Sequence, residues 1–352
     1  EYVKPADIFT EYAYFSAFSD SWLDHASRYV DMISERLGLG ESSSVVELAS
    51  NDGYLLQYFV NKGIPALGIE PAANVAKAAE ERGVKTIVEF FGADLARRLV
   101  SEGKSANLIL GNNVLAQVPD INSFVEGIKI LLAPGGVVTI EWPHLLRLMN
   151  ENQFDTIYHE HFSYFSFATT ARIFEAHGMR LFDVDELSTH GGSLRIYGCH
   201  ADDESKPLSD AAKEMLEREA AAGLGDLEVY RKFREQVEAT KRDLLEFLIE
   251  KRREGKSIIG YGAPGKGNTL LNYCGIRTDF LEYTVDRNPY KQGTYLPGTH
   301  IPVHKPEKIA ETKPDYILIL PWNLKDEIAS QLAYTAEWGC KLVVPIPRVQ
   351  VL

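Results

Sequence analysis

The sequence predicts an α/β protein of two domains, each built on a mostly parallel, doubly wound sheet, with the second domain the smaller. Three observations carry this expectation. Short apolar runs alternate with helical patterns between Val45 and Glu141, the spacing of strand–helix–strand units. Two further apolar runs flank the turn Thr189-His190-Gly191-Gly192, as in a hairpin. A second alternation of strands and helices opens at Ser257.

Residues 1–25 read as an aromatic, polar arm, followed by a helical pattern. Val45-Val46-Glu47-Leu48 is then a buried strand, Ala66-Leu67-Gly68-Ile69-Glu70 a second and Leu108-Ile109-Leu110 a third. A fourth, Val137-Val138-Thr139-Ile140-Glu141, is entered through the turn Pro134-Gly135-Gly136. Helical patterns over Asn74–Arg82 and Ile121–Leu132 lie between them. Another helix covers Ala168–Ala176, with Ser166 as its N-cap and Gly178 at its end. A serine hydroxyl can accept a first-turn N–H, and glycine enters the left-handed region without strain. Strands near Leu181–Asp185 and Leu194–Gly198 form an antiparallel pair at the sheet edge. Parallel strands closed by a late hairpin are the plan of a Rossmann-like class I methyltransferase core. The charged helical stretch 202–256, broken at Gly223-Leu224-Gly225, reads as a linker. Residues 257–352 read as a C-terminal Rossmann-like α/β domain with strands at Glu282–Val285, Tyr316–Leu320 and Lys341–Val344. The expected division is therefore 1–201, 202–256 and 257–352.

Composition narrows the function. The formal net charge is -13, and no basic stripe stands out, which argues against a nucleic-acid partner because phosphates require clustered Lys and Arg. No apolar run is long enough to cross a bilayer. The three cysteines, Cys199, Cys274 and Cys340, are far apart without metal-ligand spacing. They read as reduced packing residues, and the expectation is a cytoplasmic protein.

The segment Glu47-Leu48-Ala49-Ser50-Asn51-Asp52-Gly53 turns the first strand into its helix. Small residues there let a ligand approach the backbone, and a helix start offers N–H donors. A dinucleotide would need three spaced glycines for its pyrophosphate, and only Gly53 is present. S-adenosylmethionine carries no phosphate and instead needs acceptors for its ammonium and ribose, which Glu47, Asn51 and Asp52 supply. Glu70 ends the second strand, where an acidic residue binds ribose hydroxyls in nucleotide folds. Capping the helix that follows Pro71 is its other possible role.

Tyr158-His159-Glu160-His161 follows the fourth strand. Loops beyond strand C-termini carry catalysis, and this one concentrates titratable groups. Imidazole accepts a proton near neutral pH, and Glu or Tyr can orient it. A metal would call for a third His or Cys at suitable spacing, which is missing. A solvated loop without chemistry is the third reading.

A second turn, Gly260-Tyr261-Gly262-Ala263-Pro264-Gly265-Lys266-Gly267, follows a strand and opens a helix. Gly260, Gly262 and Gly265 fall at dinucleotide spacing, and Asp286 ends the next strand about twenty residues on. The stretch also nearly matches a nucleotide hydrolase phosphate loop. The residue after Lys266 is Gly267 rather than the Ser or Thr that holds magnesium, which argues against hydrolysis. NAD, the diphosphate of another ligand, and a packing turn are all open here. Tyr12, Tyr14, Phe15, Ser16 and Ser19 form an aromatic–hydroxyl arm that either folds over a cofactor or stays exposed. His25, His144 and His177 read as structural. His190 sits at a turn, and Arg195 meets an anionic group or pairs on the sheet face.

Together these motifs resemble the sugar C-methyltransferase family that acts on nucleotide-linked ketodeoxyhexoses in deoxysugar biosynthesis. The resemblance covers essentially the whole chain. It is carried by Tyr12-Ala13-Tyr14-Phe15-Ser16, Glu47 to Gly53, Gly68-Ile69-Glu70-Pro71, Phe90-Phe91, Asn112-Asn113-Val114, Tyr158 to His161, His190-Gly191-Gly192-Ser193 and Gly260 to Asn268. It implies S-adenosylmethionine as methyl donor, held by Tyr12, Glu47, Ala49, Asn51, Asp52, Gly53, Glu70, Pro71, Phe91, Asn112 and Asn113. It implies methyl transfer to carbon, at C3 beside a C4 ketone, with His161 as base and Tyr158 and Glu160 positioning the substrate or the proton path. Tyr14, Phe15, Ser16, His190, Arg195, Gly262, Lys266 and Asn268 would contact the substrate, the second Gly-rich turn holding its nucleotide diphosphate rather than NAD. A hydrogen beside a ketone is a weak acid, so its removal needs a placed base and a stabilised enolate oxygen.

Two departures stand out. Family members usually begin with a small cysteine-ligated zinc module, and nothing here corresponds to it; either the chain was trimmed or this member lacks the module, and no metal is expected in these residues. They also commonly carry a His in the segment after Asn113, where this chain has Gln117. Glutamine is no base at neutral pH, which puts auxiliary proton transfer from that position in doubt. A methyltransferase acting on oxygen or on a non-sugar ketone, and an NAD-dependent oxidoreductase or nucleotide-binding module, are the competing readings.

Overall fold

A computed structural model describes every residue except 1–3, 11, 13, 14 and 19. The chain forms two compact units, one of residues 1–144 and 160–221, the other of 145–159 and 222–352.

The first unit carries β1 (Val45–Leu48), β2 (Ala66–Ile69), β3 (Lys85–Ile87), β4 (Ala106–Asn112), β5 (Leu132–Pro143), β6 (Met179–Leu187) and β7 (Ser193–His200). They make one seven-stranded sheet in the order β3-β2-β1-β4-β5-β7-β6. Strands β1 to β5 pair in parallel, and β7 inserts antiparallel between β5 and β6. This is the expected parallel sheet with a late hairpin. β1 is buried at every position, so Val45, Val46 and Leu48 do not alternate with exposed residues, as a strand covered on both faces requires. The strand order reverses between β1 and β4, and in such sheets ligands settle beyond the strand C-termini at that reversal. Strand β3 was not legible in the sequence. It has three residues and starts at exposed Lys85, too short to carry a periodic signal.

The helices match their patterns closely, with Ala73–Glu81, Ile121–Leu131 and Phe167–Ala176 in the expected places. Ser166 caps the last of these, its hydroxyl accepting from Thr169 N, and Gly178 follows the helix with φ of 68°.

The second unit carries β8 (Ile258–Tyr261), β9 (Thr284–Val285), β10 (Val303–His304), β11 (Tyr316–Ile319), β12 (Lys341–Val344) and β13 (Gln350–Val351). Their order is β10-β9-β8-β11-β12-β13, parallel except for β13. It is a second, smaller Rossmann-like sheet, and again its two-residue edge strands β10 and β13 escaped the sequence.

The units divide the chain differently from 1–201, 202–256 and 257–352. The stretch read as a linker splits at Gly223-Leu224-Gly225 into the helices Asp210–Ala221 and Leu227–Arg253. The former belongs to the first unit, because its buried Glu219 accepts hydrogen bonds from Phe167 N (2.7 Å), Ala168 N (2.8 Å) and His144 Nε2 (2.7 Å). The latter buries Leu244 and Leu248 in the core of the second unit. Residues 145–159 also belong to the second unit. There Asn152 Nδ2 donates to Thr240 Oγ1 at 2.5 Å, and Asp155 Oδ2 accepts from Trp322 Nε1 at 2.7 Å.

Candidate active site

The loop after β1 is tightly coiled. Ala49, Asn51 and Gly53 have φ of 57°, 49° and 73°. The left-handed region suits Gly and is tolerated by Asn, but for Ala49 it costs about 1 kcal/mol or more. Such strain is kept where a surrounding structure imposes it.

Gly53 is needed by the protein itself. A Cβ there would stand 3.0 Å from Val84 Cγ2 and 3.1 Å from Ala79 Cβ. Gly53→Ala should therefore cost the first unit about 1–3 kcal/mol and weaken S-adenosylhomocysteine binding. Gly63→Ala, also at positive φ but with open space around it, isolates the backbone contribution. Equal melting temperatures for the two variants would show that crowding at Gly53 is unimportant.

Three carboxylates converge on this loop. Glu47 is wholly buried, and neither oxygen has a well-formed hydrogen bond among the described residues. Burial pushes its carboxyl well above the usual range; the charges of Glu70 and Asp52 push the same way, with the Tyr54 hydroxyl opposing them. Asp52 is raised by burial against the pull of Arg82, whose Nη1 lies 3.2 Å from Asp52 Oδ2. Glu70 is raised by burial, opposed by two backbone bonds: Ala72 N to Oε1 and Asn51 N to Oε2, both 2.9 Å. Glu70 thus ties the end of β2 to the β1 loop and to Ala72, the residue that precedes Ala73–Glu81. Pro71 stands half-buried between Glu70 and Ala72.

The N-terminal arm lies over the loop. Tyr12 N donates to Asn74 Oδ1 at 3.0 Å, and Asn74 Nδ2 returns a bond to Tyr12 O at 2.7 Å. Ser16 N donates to Asn51 Oδ1 (2.9 Å) and Ala17 N to Asp52 Oδ2 (3.2 Å). Phe15 is half-buried beside them in the chain. Tyr14 lies outside the described residues, as does Ser19. Asn74 was invisible to sequence reasoning, because an asparagine in a helical pattern carries no sign of a partner sixty-two positions away.

At the end of β4, Asn112 Nδ2 donates to the Tyr54 hydroxyl at 3.3 Å, and Asn113 N donates to Glu141 O at 2.8 Å. Asn113 is another left-handed residue, with φ of 55°. Phe91 packs edge-on against Phe124 with ring centroids 5.5 Å apart. At the end of β5, Glu141 is buried with three partners. His25 Nε2 lies 3.0 Å from its Oε2, Arg195 Nη2 donates to the same oxygen at 3.0 Å, and Thr189 Oγ1 donates to Oε1 at 2.7 Å. Burial opposes ionisation of Glu141, but the His25 bond and the Arg195 charge prevail and hold the carboxyl below its usual range. Of the two roles open to Arg195, the structure shows pairing on the sheet face. His190 occupies the turn Thr189–Gly191, and its side chain lies outside the described features.

The Tyr158–His161 cluster straddles the passage from one unit to the other. Tyr158 and His159 belong to the second unit, Glu160 and His161 to the first. Phe162 N and Ser163 N donate to Ala116 O at 2.7 and 3.2 Å. These bonds pin the chain just after His161 to the turn Leu115–Gln117 beyond β4, the turn that holds Gln117. Glu160 is part-buried, and its Oε2 accepts from the Tyr12 hydroxyl at 3.2 Å. Burial raises its carboxyl, partly offset by that bond. The His161 ring meets Tyr164 edge-on at 5.9 Å.

In the second unit, Gly262 has φ of 90°, and a Cβ on it would meet the Pro321 ring at 2.7 Å. Asp286 Oδ2 accepts from Ala263 N (2.7 Å) and Oδ1 from Asn288 N (2.8 Å). The acid that a dinucleotide ribose would need is thus bonded to its own backbone. Lys266 Nζ donates to Asn323 Oδ1 at 2.8 Å and sits 4.5 Å from the centre of the Trp322 ring. Asn268 Oδ1 is buried without a partner among the described residues. A Cβ on Gly265 would lie 3.8 Å from the Tyr158 ring, so Tyr158 packs on the first turn of the helix Gly265–Cys274.

The β1 loop fits S-adenosylmethionine. Its buried carboxylates outnumber the nearby cation, Glu47 offers both oxygens, and a ligand carrying an ammonium and a sulfonium supplies the missing positive charge. Comparison with known proteins agrees. A family model described as a methyltransferase domain matches residues 22–184, and one described as a C-methyltransferase C-terminal domain matches residues 188–347. The fold, the loop and these matches define an S-adenosylmethionine-dependent methyltransferase. The C-methyltransferase NovU of Streptomyces niveus is 38% identical over 352 residues, covering 99% of this chain and 83% of that protein. The chain belongs to the C-methyltransferase family. A trans-aconitate 2-methyltransferase of Paracidovorax citrulli (strain AAC00-1) is 29% identical over 122 residues, 34% of this chain and 46% of that one. Among solved structures, the PH0226 protein of Pyrococcus horikoshii OT3 superposes with a TM-score of 0.44 at 12% identity, covering 55% of this chain and 97% of that chain. Magnesium protoporphyrin IX methyltransferase from Synechocystis PCC 6803 gives 0.38 at 13% identity, covering 51% and 81%.

Proposed function

We propose that the enzyme methylates C3 of a nucleotide-linked 4-keto-deoxysugar, with His161 as the base. The observation that carries this reading is the pair of backbone bonds from Phe162 and Ser163 to Ala116, which fixes the segment bearing His161 beside the end of β4. His161 accepts the proton from C3, and the electrons of that C–H bond spread onto the C4 carbonyl oxygen. A base so placed contributes about 10²–10⁴ in rate. Glu160, tethered by the Tyr12 hydroxyl, orients the acceptor or takes the proton onward. Tyr158 is a positioning residue. S-adenosylmethionine, when bound, supplies a methyl group activated by a positively charged sulfur. Glu47, Asp52 and Glu70 hold its cationic and ribose portions, with Tyr12, Ala49, Asn51, Gly53, Asn112 and Asn113 around them. The second unit takes the nucleotide diphosphate, with Lys266 as its cation and Gly262 and Asn268 nearby.

A thermal-shift panel tests this. S-adenosylhomocysteine and at least one of thymidine, uridine and guanosine diphosphate should each raise the melting temperature. A ligand that binds only the folded state stabilises it by about 2.7 kcal/mol at a hundredfold excess over its dissociation constant. Stabilisation by NAD without any nucleoside diphosphate would sink the sugar-nucleotide reading. Solvent deuterium appearing at the acceptor carbon when S-adenosylhomocysteine replaces the methyl donor would support proton removal before methyl transfer.

A further inference from the structure

Asp155 is an unusual carboxyl. It lies in the turn Phe154–Thr156 at 0% exposure. Its Oδ2 accepts the Trp322 indole N–H at 2.7 Å, while Oδ1 is buried with no hydrogen-bond partner among the described residues. The same Trp322 carries Lys266 over its ring at 4.5 Å. Among the described residues, no carboxylate lies within ion-pairing distance of Lys266. One indole thus bridges a buried acid and the cation assigned above to the ligand's phosphates.

We propose that Asp155 takes up a proton when an anionic diphosphate binds at Lys266, coupling occupancy of the second unit to pH. The proposal rests on the reading that this unit holds the nucleotide diphosphate. A buried carboxylate here is held in its charged form chiefly by the nearby Lys266 cation and the Trp322 indole N–H, with the backbone N–H of Asp155 adding to them. An incoming anion cancels the effect of the cation and adds repulsion, so the neutral acid becomes the stable form. Burial already pushes Asp155 up to about 7, against the opposing pull of Lys266 and the Trp322 bond. Lys266 is itself lowered by burial, with Asp155 opposing. The other elements packed here add little charge. The helix Gly265–Cys274 also brings Tyr273, edge-on to Phe154 at 5.3 Å, and the turn Trp322–Leu324 brings neutral Asn323. The helix Leu227–Arg253 brings Thr240 and Lys241, whose Nζ is bonded to Tyr273 O at 2.8 Å.

The sign follows directly. Ligand binding raises the Asp155 pKa from about 7, so between the free and bound values binding consumes a proton, and affinity falls as pH rises through that window. The experiment is calorimetric titration of the full chain with TDP-glucose and UDP-glucose, in buffers of differing ionisation enthalpy. Both phosphates of these probes are esterified and do not titrate near neutrality. At about pH 8 we expect uptake of about 0.5 to 1 proton, with affinity falling up to about tenfold per pH unit. Asp155→Asn should abolish both effects. Trp322→Phe, which removes the bond favouring the carboxylate, should move the uptake to higher pH and serves if Asp155→Asn does not fold. Tight binding without proton uptake, or full uptake retained in Asp155→Asn, would overturn the coupling and leave the nucleotide site standing. Failure of every sugar nucleotide to bind a chain that still binds S-adenosylhomocysteine would overturn both.

Discussion

Replacing His161 with Asn is expected to lower turnover by about a hundredfold to ten-thousandfold while leaving S-adenosylhomocysteine affinity within about twofold. Asparagine keeps the size and hydrogen-bonding character of one face of the ring but cannot take a proton. The bonds that fix this segment, from Phe162 N and Ser163 N to Ala116 O, are made by backbone, so the substitution does not remove them. The variant should also lose solvent-deuterium exchange at the acceptor carbon, which separates a lost base from a lost methyl donor. Glu160→Gln should fall less, because glutamine can still accept the Tyr12 hydroxyl. Full turnover by His161→Asn would assign the base elsewhere. Gln117, in the turn to which this segment is tied, offers no substitute at neutral pH.

The largest expected loss of stability comes from Glu219→Ala. This one carboxylate accepts from His144 Nε2 and from the first two N–H groups of the helix Phe167–Ala176. All of these groups are buried or part-buried, and truncation strands them. Breaking a buried charged network of this kind costs about 3–5 kcal/mol. Two units make a single unfolding transition improbable, so the loss should be read on the transition that S-adenosylhomocysteine shifts. Burial raises the Glu219 carboxyl, but the bonds from His144, Ala168 and Phe167 outweigh it and hold it below the usual range. A depressed carboxyl stabilises the fold above its unfolded pKa of about 4.3, and the contribution is lost as pH falls through the lower folded value. In the wild type, acid should therefore release the helix Asp210–Ala221 early. An Ala variant as stable as the wild type at neutral pH, or equally sensitive to acid, would show that the network contributes nothing.

Most of the architecture was legible because it is written in local patterns. Apolar-rich runs announced β1, β4 and β5, period and caps announced the helices, and the Gly191-Gly192 turn announced the β6–β7 hairpin. The short edge strands β3, β10 and β13 were not, since two or three residues cannot establish a period. The β1 loop and the Tyr158–His161 cluster were also visible, as unusual densities of carboxylates, imidazoles and small residues beyond strand ends.

Partners were another matter. Composition, periodicity and local motifs by themselves determined two parallel-sheet units and marked a carboxylate-rich loop and a Tyr-His-Glu-His cluster, while His161 as base came only from the family resemblance. Only the tertiary structure decided that Arg195 pairs with Glu141, that Glu70 ties two loops together, that Asp286 is bonded to Ala263 N of the Gly-rich turn and to Asn288 N, and that Asp155 shares an indole with Lys266. It also decided that Tyr158 and Glu160, two positions apart in the chain, belong to different units. The reason is physical. A strand or helix is selected by interactions a few residues apart, which a sequence displays directly. A buried hydrogen bond joins residues far apart in the chain, more than a hundred positions for Asp155 and Trp322, and its existence depends on the register and burial that folding creates.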